Sequence, residues 1–562
     1  MHIKSIYLGF YLLVFFSTNA LLASPIEHQG GSFFSYESSF KKPITIGDRV
    51  LKEKDIIYFV DDPGITVCPD LACAIPIDLL IYQRFGENYS KIDSINLAQE
   101  NSDGHVLHYH DDILANIYAN RKQIGTDSIY TTRINLYDAT ARQKPLKYAS
   151  TKQNGQLIAT TAQENKISIL SSATHSGVDG CIKIEGDASD DSEWRTIVEF
   201  NLSVVDITDA SQNAICLYGE FEFFYAANLY STPNSEYLSI SAGDKTRVYR
   251  FNRDKGKLSY DGKVEIARLL SRNVIAKQII QKGSYLYTVI EDKKGDSAYT
   301  AVQVYDLEVK NSSNEYRLIE TIPLIEAATD ETAALTGIFT QKDRVYIAVE
   351  LRRENVGGPP PAFDADFGSA MSEATNPIFI VALTRRGKPK ILGEYKVSQP
   401  VRHIDSIHPN LLAIFTQDTS GFLDTSESLV VLDVENPQSV FSIYESVLSR
   451  GFLQTALPVA DARTLSKTSK RFSAKLFVPV QELMFDSQSE VPDAYSFELS
   501  QLSFKKSPGC LSQTITCWKL VGDDVFTFTM PYENSAEPLK ARAFFSGERV
   551  NYFLGDRVIQ IK

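Results

Sequence analysis

The chain has 562 residues, 43% of them hydrophobic and 23% charged, with a net charge of −13. That composition is globular and leaves enough apolar surface for a large core or several smaller ones. The acidic balance argues against a nucleic-acid partner, which needs a surplus of Lys and Arg, while proteins, peptides, glycans and cations remain open.

The first residues predict export. Lys4 supplies a positive charge, Ile6 to Phe16 is a short apolar run, and small residues follow at Ala20 and Ala23. That order defines a cleavable signal peptide over 1–23, and the run is shorter than the roughly 20 residues a membrane helix needs. No later segment is apolar enough to span a bilayer. The expected location is therefore secreted or periplasmic, and the expected state a monomer. Six cysteines suit an oxidising compartment. They fall in local couples, Cys68 with Cys73, Cys181 with Cys216 and Cys510 with Cys517, and are expected to be structural disulfides. No C-x2-C pair favours zinc.

Residues 24–104 are expected to form an extension that packs on the main domain. It contains two strand-like runs, DIIYFV (55–60) and DLLIYQRF (78–85). From residue 105 onward one unit recurs, a strand, a short polar turn and a second strand. The copies are HVLHYHDDILANIY (105–118), ASTKQNGQLIATTA (149–162), NLYSTPNSEYLSIS (228–241) and QIIQKGSYLYTVIE (278–291). GIFTQKDRVYIAVE (337–350), HIDSIHPNLLAIFT (403–416) and AFFSGERVNYFLGD (543–556) continue the series, with a looser copy at 464–480. Turns built from Asp-Asp, Asn-Gly, Pro-Asn or Lys-Asp tolerate the tight, left-handed backbone of a hairpin.

A third strand often follows and ends in Asp: Asp138, Asp206, Asp306 and Asp433. Recurrence at one strand end marks these acids as caps of the next turn rather than catalytic groups. Four strands repeated around an axis define an all-β single propeller over 105–562. Eight blades of four antiparallel strands are expected, with seven as the alternative. The last unit supplies three strands, so an N-terminal strand is expected to close it and protect its edge.

The segments PIFIVALTRRGKPKILGEYKV, RHIDSIHPNLLAIFTQD, SLVVLDVENPQSV, KLFVPV and RAFFSGERVNYFLGDRVIQIK carry a resemblance. The layout resembles secreted microbial proteins with a C-terminal β-propeller domain, distantly similar to WD-type repeats. The resemblance covers about 103–562 and implies a fold without a catalytic signature. ALTRR and RFNRD lack the strand-end Asp, so the repeat is degenerate.

Three second-to-third-strand connections, at about 163–196, 352–376 and 481–495, exceed what a hairpin needs, and loops beyond about 12–15 residues are usually functional or disordered. The first carries Asp187, Asp190 and Asp191, which could offer oxygen ligands to calcium. A solvated acidic loop accounts for them better, so no cofactor and no metal is expected. The second joins Gly-Gly-Pro-Pro-Pro to Phe363, Asp364, Asp366 and Phe367, a stiff stretch that could present aromatics to a partner. Common hydrolase, zinc-protease and nucleotide-binding motifs are missing.

The sequence thus favours a binding or scaffold propeller that engages a protein, peptide or glycan through loops on one face. The alternative is a hydrolase or lyase whose residues converge from different blades at the channel mouth. In DGHVLHYHDD (103–112) the two acids fall in the hairpin turn, and His105 alternates with His108 and His110, so no three-histidine metal site forms. His105 and His110 align with His403 and His408. His105 and His403 are the candidate binding residues at the channel mouth, with His110 and His408 at the opposite face.

Overall fold

A computed structural model describes residues 50–561 apart from short connections, the longer ones being 62–76, 187–195, 354–375, 418–425, 451–458, 508–515 and 532–540. The protein is all-β. Its strands run as consecutive antiparallel meanders, designated sheets I (50–98), II (102–154), III (156–221), IV (224–265), V (273–326), VI (331–397), VII (401–450), VIII (459–531) and IX (541–561). Sheets I, II and IV to VIII have four strands each, sheet III has five and sheet IX three.

Burial makes this a propeller. Seven apolar clusters each lie between one sheet and the next, from sheets I and II through to VII and VIII. The period-two alternation of a strand supplies both neighbours at once. In Leu411–Gln417, Leu411, Ala413 and Phe415 face sheet VIII, while Leu412 and Ile414 face sheet VI. Sheets II to VII are therefore apolar on both faces and cannot be stable alone. First strands lie against first strands, in sheets I with II, III with IV, VI with VII and VII with VIII, which places them innermost.

Eight sheets with four or five strands are consistent with eight blades. Sheet I, however, comes from 50–98, outside the expected 105–562, sheet IX is a ninth with three strands, and two assignments change. Ile56–Asp61 and Ile77–Phe85, the candidates for completing the last unit, are the middle strands of sheet I. Both edges of each are occupied, so neither is available to sheet IX. The copy at 149–162 is not a hairpin either. Leu146–Asn154 is the fourth strand of sheet II and Gln156–Gln163 the first of sheet III. Gly155 turns the chain between them at φ +95°, with Ser172 backbone 2.5 Å from where a Cβ would sit. Asn-Gly marks the sharp turn correctly, but a turn of this kind can also join two sheets. The third long insertion, about 481–495, is largely regular, because Arg471–Phe485 and Pro492–Lys506 extend as a paired 15-residue hairpin.

The strand-end acids cap as expected. Asp138, Asp206, Asp306 and Asp433 accept hydrogen bonds from the backbone N–H two residues on, of Thr140, Thr208, Glu308 and Glu435, at 2.9 to 3.1 Å. The next amide donates to the carbonyl of the hairpin turn beside it, as in Ala139 to Asp112, Leu307 to Ser284 and Val434 to Asn410. Where the Asp is missing, at ALTRR, the Thr384 hydroxyl accepts from Arg386 and Lys388 instead. Asp111 and Asp112 have φ of 46° and 60°, the paired left-handed residues of a tight hairpin turn. Turns and caps thus build one end of the propeller, called here the corner end.

Candidate functional site

An antiparallel meander puts the entries to first strands and the second-to-third connections at the end away from the corners. The long connections 175–195, 354–375 and 418–425 all leave from it. The backbone there departs from regularity in a repeated way. In six consecutive sheets, II to VII, the first strand carries a β-bulge a few residues after its start. The residues left without a ladder partner are Gly104 with His105, then Ile158, Tyr225, Lys277, Thr336 and Arg402. A bulge bends the strand and re-aims one side chain, and bulges concentrate at sheet margins and beside functional sites. Here it recurs on the innermost strand of adjacent blades.

Several re-aimed side chains are polar and are held. Lys277 Nζ lies 3.1 Å from Glu291 Oε2, and Glu291 Oε1 accepts the Leu335 amide of the next sheet at 3.0 Å. The Glu291 side chain is only 2% exposed, so this ion pair is paired and hydrogen-bonded as burial demands. Arg402 pairs closely with the buried Glu427. Tyr225 is half exposed beside the equally exposed Phe223. Tyr225 and Phe223 thus present exposed aromatic rings, while Lys277 and Arg402 are engaged by their carboxylate partners.

His105 and His403 both lie on first strands, toward this same end. Their surroundings differ. His105 is fully buried, with Nδ1 3.1 Å from Asn116 Oδ1 and its ring stacked 4.8 Å from Tyr118. It is built into sheet II. His403 is partly buried against Phe415, and burial lowers its pKa while Asp405 raises it. His110 and His408 close their strands next to the corner-end turns. His108 faces Thr160 of sheet III at 3.3 Å, and burial pulls its pKa to about 4. His408 packs 4.8 Å from Trp518, and burial, helped by Lys506, brings it to about 4.

Asp187, Asp190, Asp191, Phe363, Asp364, Asp366 and Phe367 lie outside the described residues, as do Cys68, Cys73 and Cys510. Cys181 and Cys216 form a disulfide, and Cys517 is disulfide-bonded. The described part of the first insertion, 180–186, runs along the outer edge of sheet III. Ile182 and Lys183 pair in parallel with Leu217 and Tyr218. Glu185 then reaches sheet IV, where its carboxylate meets Lys263 and, at 3.2 Å, Arg247 Nε. Lys263 foremost holds the Glu185 carboxyl below the usual range. This insertion ties two blades together at the rim.

A cavity of about 60 Å³ between sheets III and IV, lined by Lys166, Asp206 and Arg253, has room for little beyond water. Two of its ionic groups are committed: Asp206 accepts from Asn165 and Thr208, and Arg253 pairs with Glu236 at 3.0 Å. Sequence reasoning missed the bulged residues, because a bulge is a property of pairing. The faint signal was a charged residue, Lys277, interrupting the apolar run at 274–280.

No family model matches the chain, and no curated protein matches it. Among solved structures it is similar to Sqt1 of Chaetomium thermophilum, at 12% identity and TM-score 0.32, covering 80% of this chain and 92% of that one. It is also similar to YjhT, at 11% identity and TM-score 0.26, covering 60% and 96%. At these scores the likeness carries no argument about activity, and the fold rests on the sheet order and buried faces above. Among the described residues no helix is long and apolar enough to cross a membrane.

Proposed function

We propose that the protein is an exported binding or scaffold propeller that engages a protein, peptide or glycan at the end where the long connections leave. The observation that carries this reading is the bulge repeated on the innermost strands of six consecutive sheets at that end. It sets re-aimed side chains side by side, with Lys277 and Arg402 flanking the sheet that bears connection 354–375. His403 belongs to the same margin. Export is supported by the N-terminal signal pattern and by cysteines in disulfides.

The test starts by selecting a ligand for the purified full-length protein from a glycan array and a peptide display library. Lys277→Met with Arg402→Met, and separately a Gly-Ser replacement of 354–375, should each weaken the selected ligand at least tenfold. Substitutions at Asp343 and Asp306 on the corner end should leave it unchanged. Affinity lost only on the corner-end changes would overturn the reading. Turnover of a selected ligand would replace binding with catalysis at the same margin.

A further inference from the structure

Cys181, Cys216 and Glu199 bring two sulfurs and a carboxylate oxygen within 4.8 Å of one another, the one such group of three donor residues among the described residues. The three come from different parts of sheet III. Cys181 opens the rim segment, Cys216 lies on the edge strand Gln212–Phe221, and Glu199 lies on Thr196–Asp206. Glu199 and Cys216 share a face of the ladder, since Asn201 stands directly opposite Cys216 and Glu199 is two residues from it. The Glu199 residue is 7% exposed, and the Asn201 amide donates to its Oε1 at 2.5 Å. A carboxylate buried beside two sulfurs and oriented by a second residue has the layout of a metal ligand with its outer-shell support.

We propose that the dithiol form of this site binds a thiophilic divalent cation, zinc above all, through Cys181 Sγ, Cys216 Sγ and a Glu199 oxygen, with water as fourth ligand. The site is then gated by redox state. In the disulfide each sulfur is bonded to the other and neither is a thiolate. A dithiol reductant delivers two electrons and two protons, the S–S bond breaks, two thiols form, and the reductant becomes a disulfide. Metal binding then releases the two thiol protons, because the thiolate is the ligand. Two thiolates and one carboxylate around a dication leave a net charge of −1, the donor mixture zinc accepts in a tetrahedral site. Zinc–sulfur bonds of about 2.3 Å place tetrahedral sulfurs roughly 3.8 Å apart. The Cα atoms of Cys181 and Cys216 are 4.7 Å apart in the disulfide, and Ile182 and Lys183 pair in parallel with Leu217 and Tyr218 beside them. At that Cα spacing, side-chain rotation can supply the sulfur separation.

The experiment is differential alkylation of the full-length protein. Protein reduced with a phosphine is exposed to iodoacetamide with and without zinc, and each cysteine is followed on its own peptide by mass spectrometry. Zinc should protect Cys181 and Cys216 together at least tenfold. Glu199→Gln, which keeps the Asn201 contact and the shape, should cut that protection severalfold at limiting zinc. Cobalt added to the reduced protein should give a thiolate charge-transfer band that Cys181→Ser with Cys216→Ser removes in part and that the oxidised protein lacks. Alkylation of these two cysteines unaffected by zinc would overturn the proposal. Protection that Glu199→Gln leaves intact would overturn the three-ligand assignment.

Discussion

The two ends of the propeller solve opposite problems. At the corner end the chain repeats itself. Asp138, Asp206, Asp306 and Asp433 cap the same turn, and each following amide bonds to the same carbonyl of the adjoining connection. At the other end the connections differ in length and composition, and what repeats is a defect, the bulge that leaves Ile158, Tyr225, Lys277, Thr336 and Arg402 outside the ladder. The comparison separates an end that repeats turn chemistry from a margin where the re-aimed side chain differs from sheet to sheet. A polar residue at a repeated corner serves the turn, whereas Lys277 and Arg402 at the repeated bulge are held by the carboxylates of Glu291 and Glu427.

Asp433 shows how far a corner residue can be recruited for stability, and it should give the largest effect. Its Oδ2 accepts the amides of Cys517 and Trp518 at 2.6 and 3.1 Å and the Thr516 hydroxyl at 3.0 Å, joining sheet VII to sheet VIII. Asp433→Ala strands two buried amides and should cost roughly 3–5 kcal/mol in urea unfolding. A loss equal to that of an ordinary corner would erase the distinction drawn here.

Acidification comes next. His108 and His408 are held neutral between sheets with pKa values of about 4. An unfolded histidine titrates near 6.5, so between pH 6.5 and 4 the unfolded chain binds more protons. Stability should be full above about pH 6.5 and fall as pH drops toward 4, by on the order of 2–3 kcal/mol per histidine. His408→Gln should flatten the slope measured by urea unfolding across that window. An unchanged slope would show that His408 is not buried against Trp518.

Asp306→Ala, a corner with only its own turn to cap, should lose about 1 kcal/mol in the same assay. Replacing 354–375 with a short Gly-Ser link should change stability least, by less than about 0.5 kcal/mol, because the strands on either side, Arg344–Arg353 and Asn376–Ala382, are paired on their own. A large loss of stability would mean that the connection belongs to the fold and not to ligand binding.

Fold class was legible because each blade must bury two faces, which forces short apolar strands between polar turns. The corner acids were legible because turn chemistry depends on the next two residues alone. Asn154-Gly155 misled for the same reason, since a tight turn looks alike whether the next strand pairs back or starts a new sheet. The N-terminal runs read as strands, but their partners at 50–53 and 88–98 carried no repeat signal, so sheet I was not visible as a unit. His105 and His403 matched in sequence, yet one is sealed by Asn116 and Tyr118 while the other sits nearer the margin. Alignment fixes a position on the strand and leaves the packing around it open. Lys277 left only a faint trace, a charge inside an apolar run, and Arg402 none, because a bulge depends on two strands at once.

The most direct measurement is amide hydrogen exchange of the full-length protein with and without a ligand selected as above. New protection should fall on the bulged segments around Tyr225, Lys277, Thr336 and Arg402. Protection confined to the corner-end turns at Asp111, Lys342 and Pro409 would contradict the assignment of function to the bulged end.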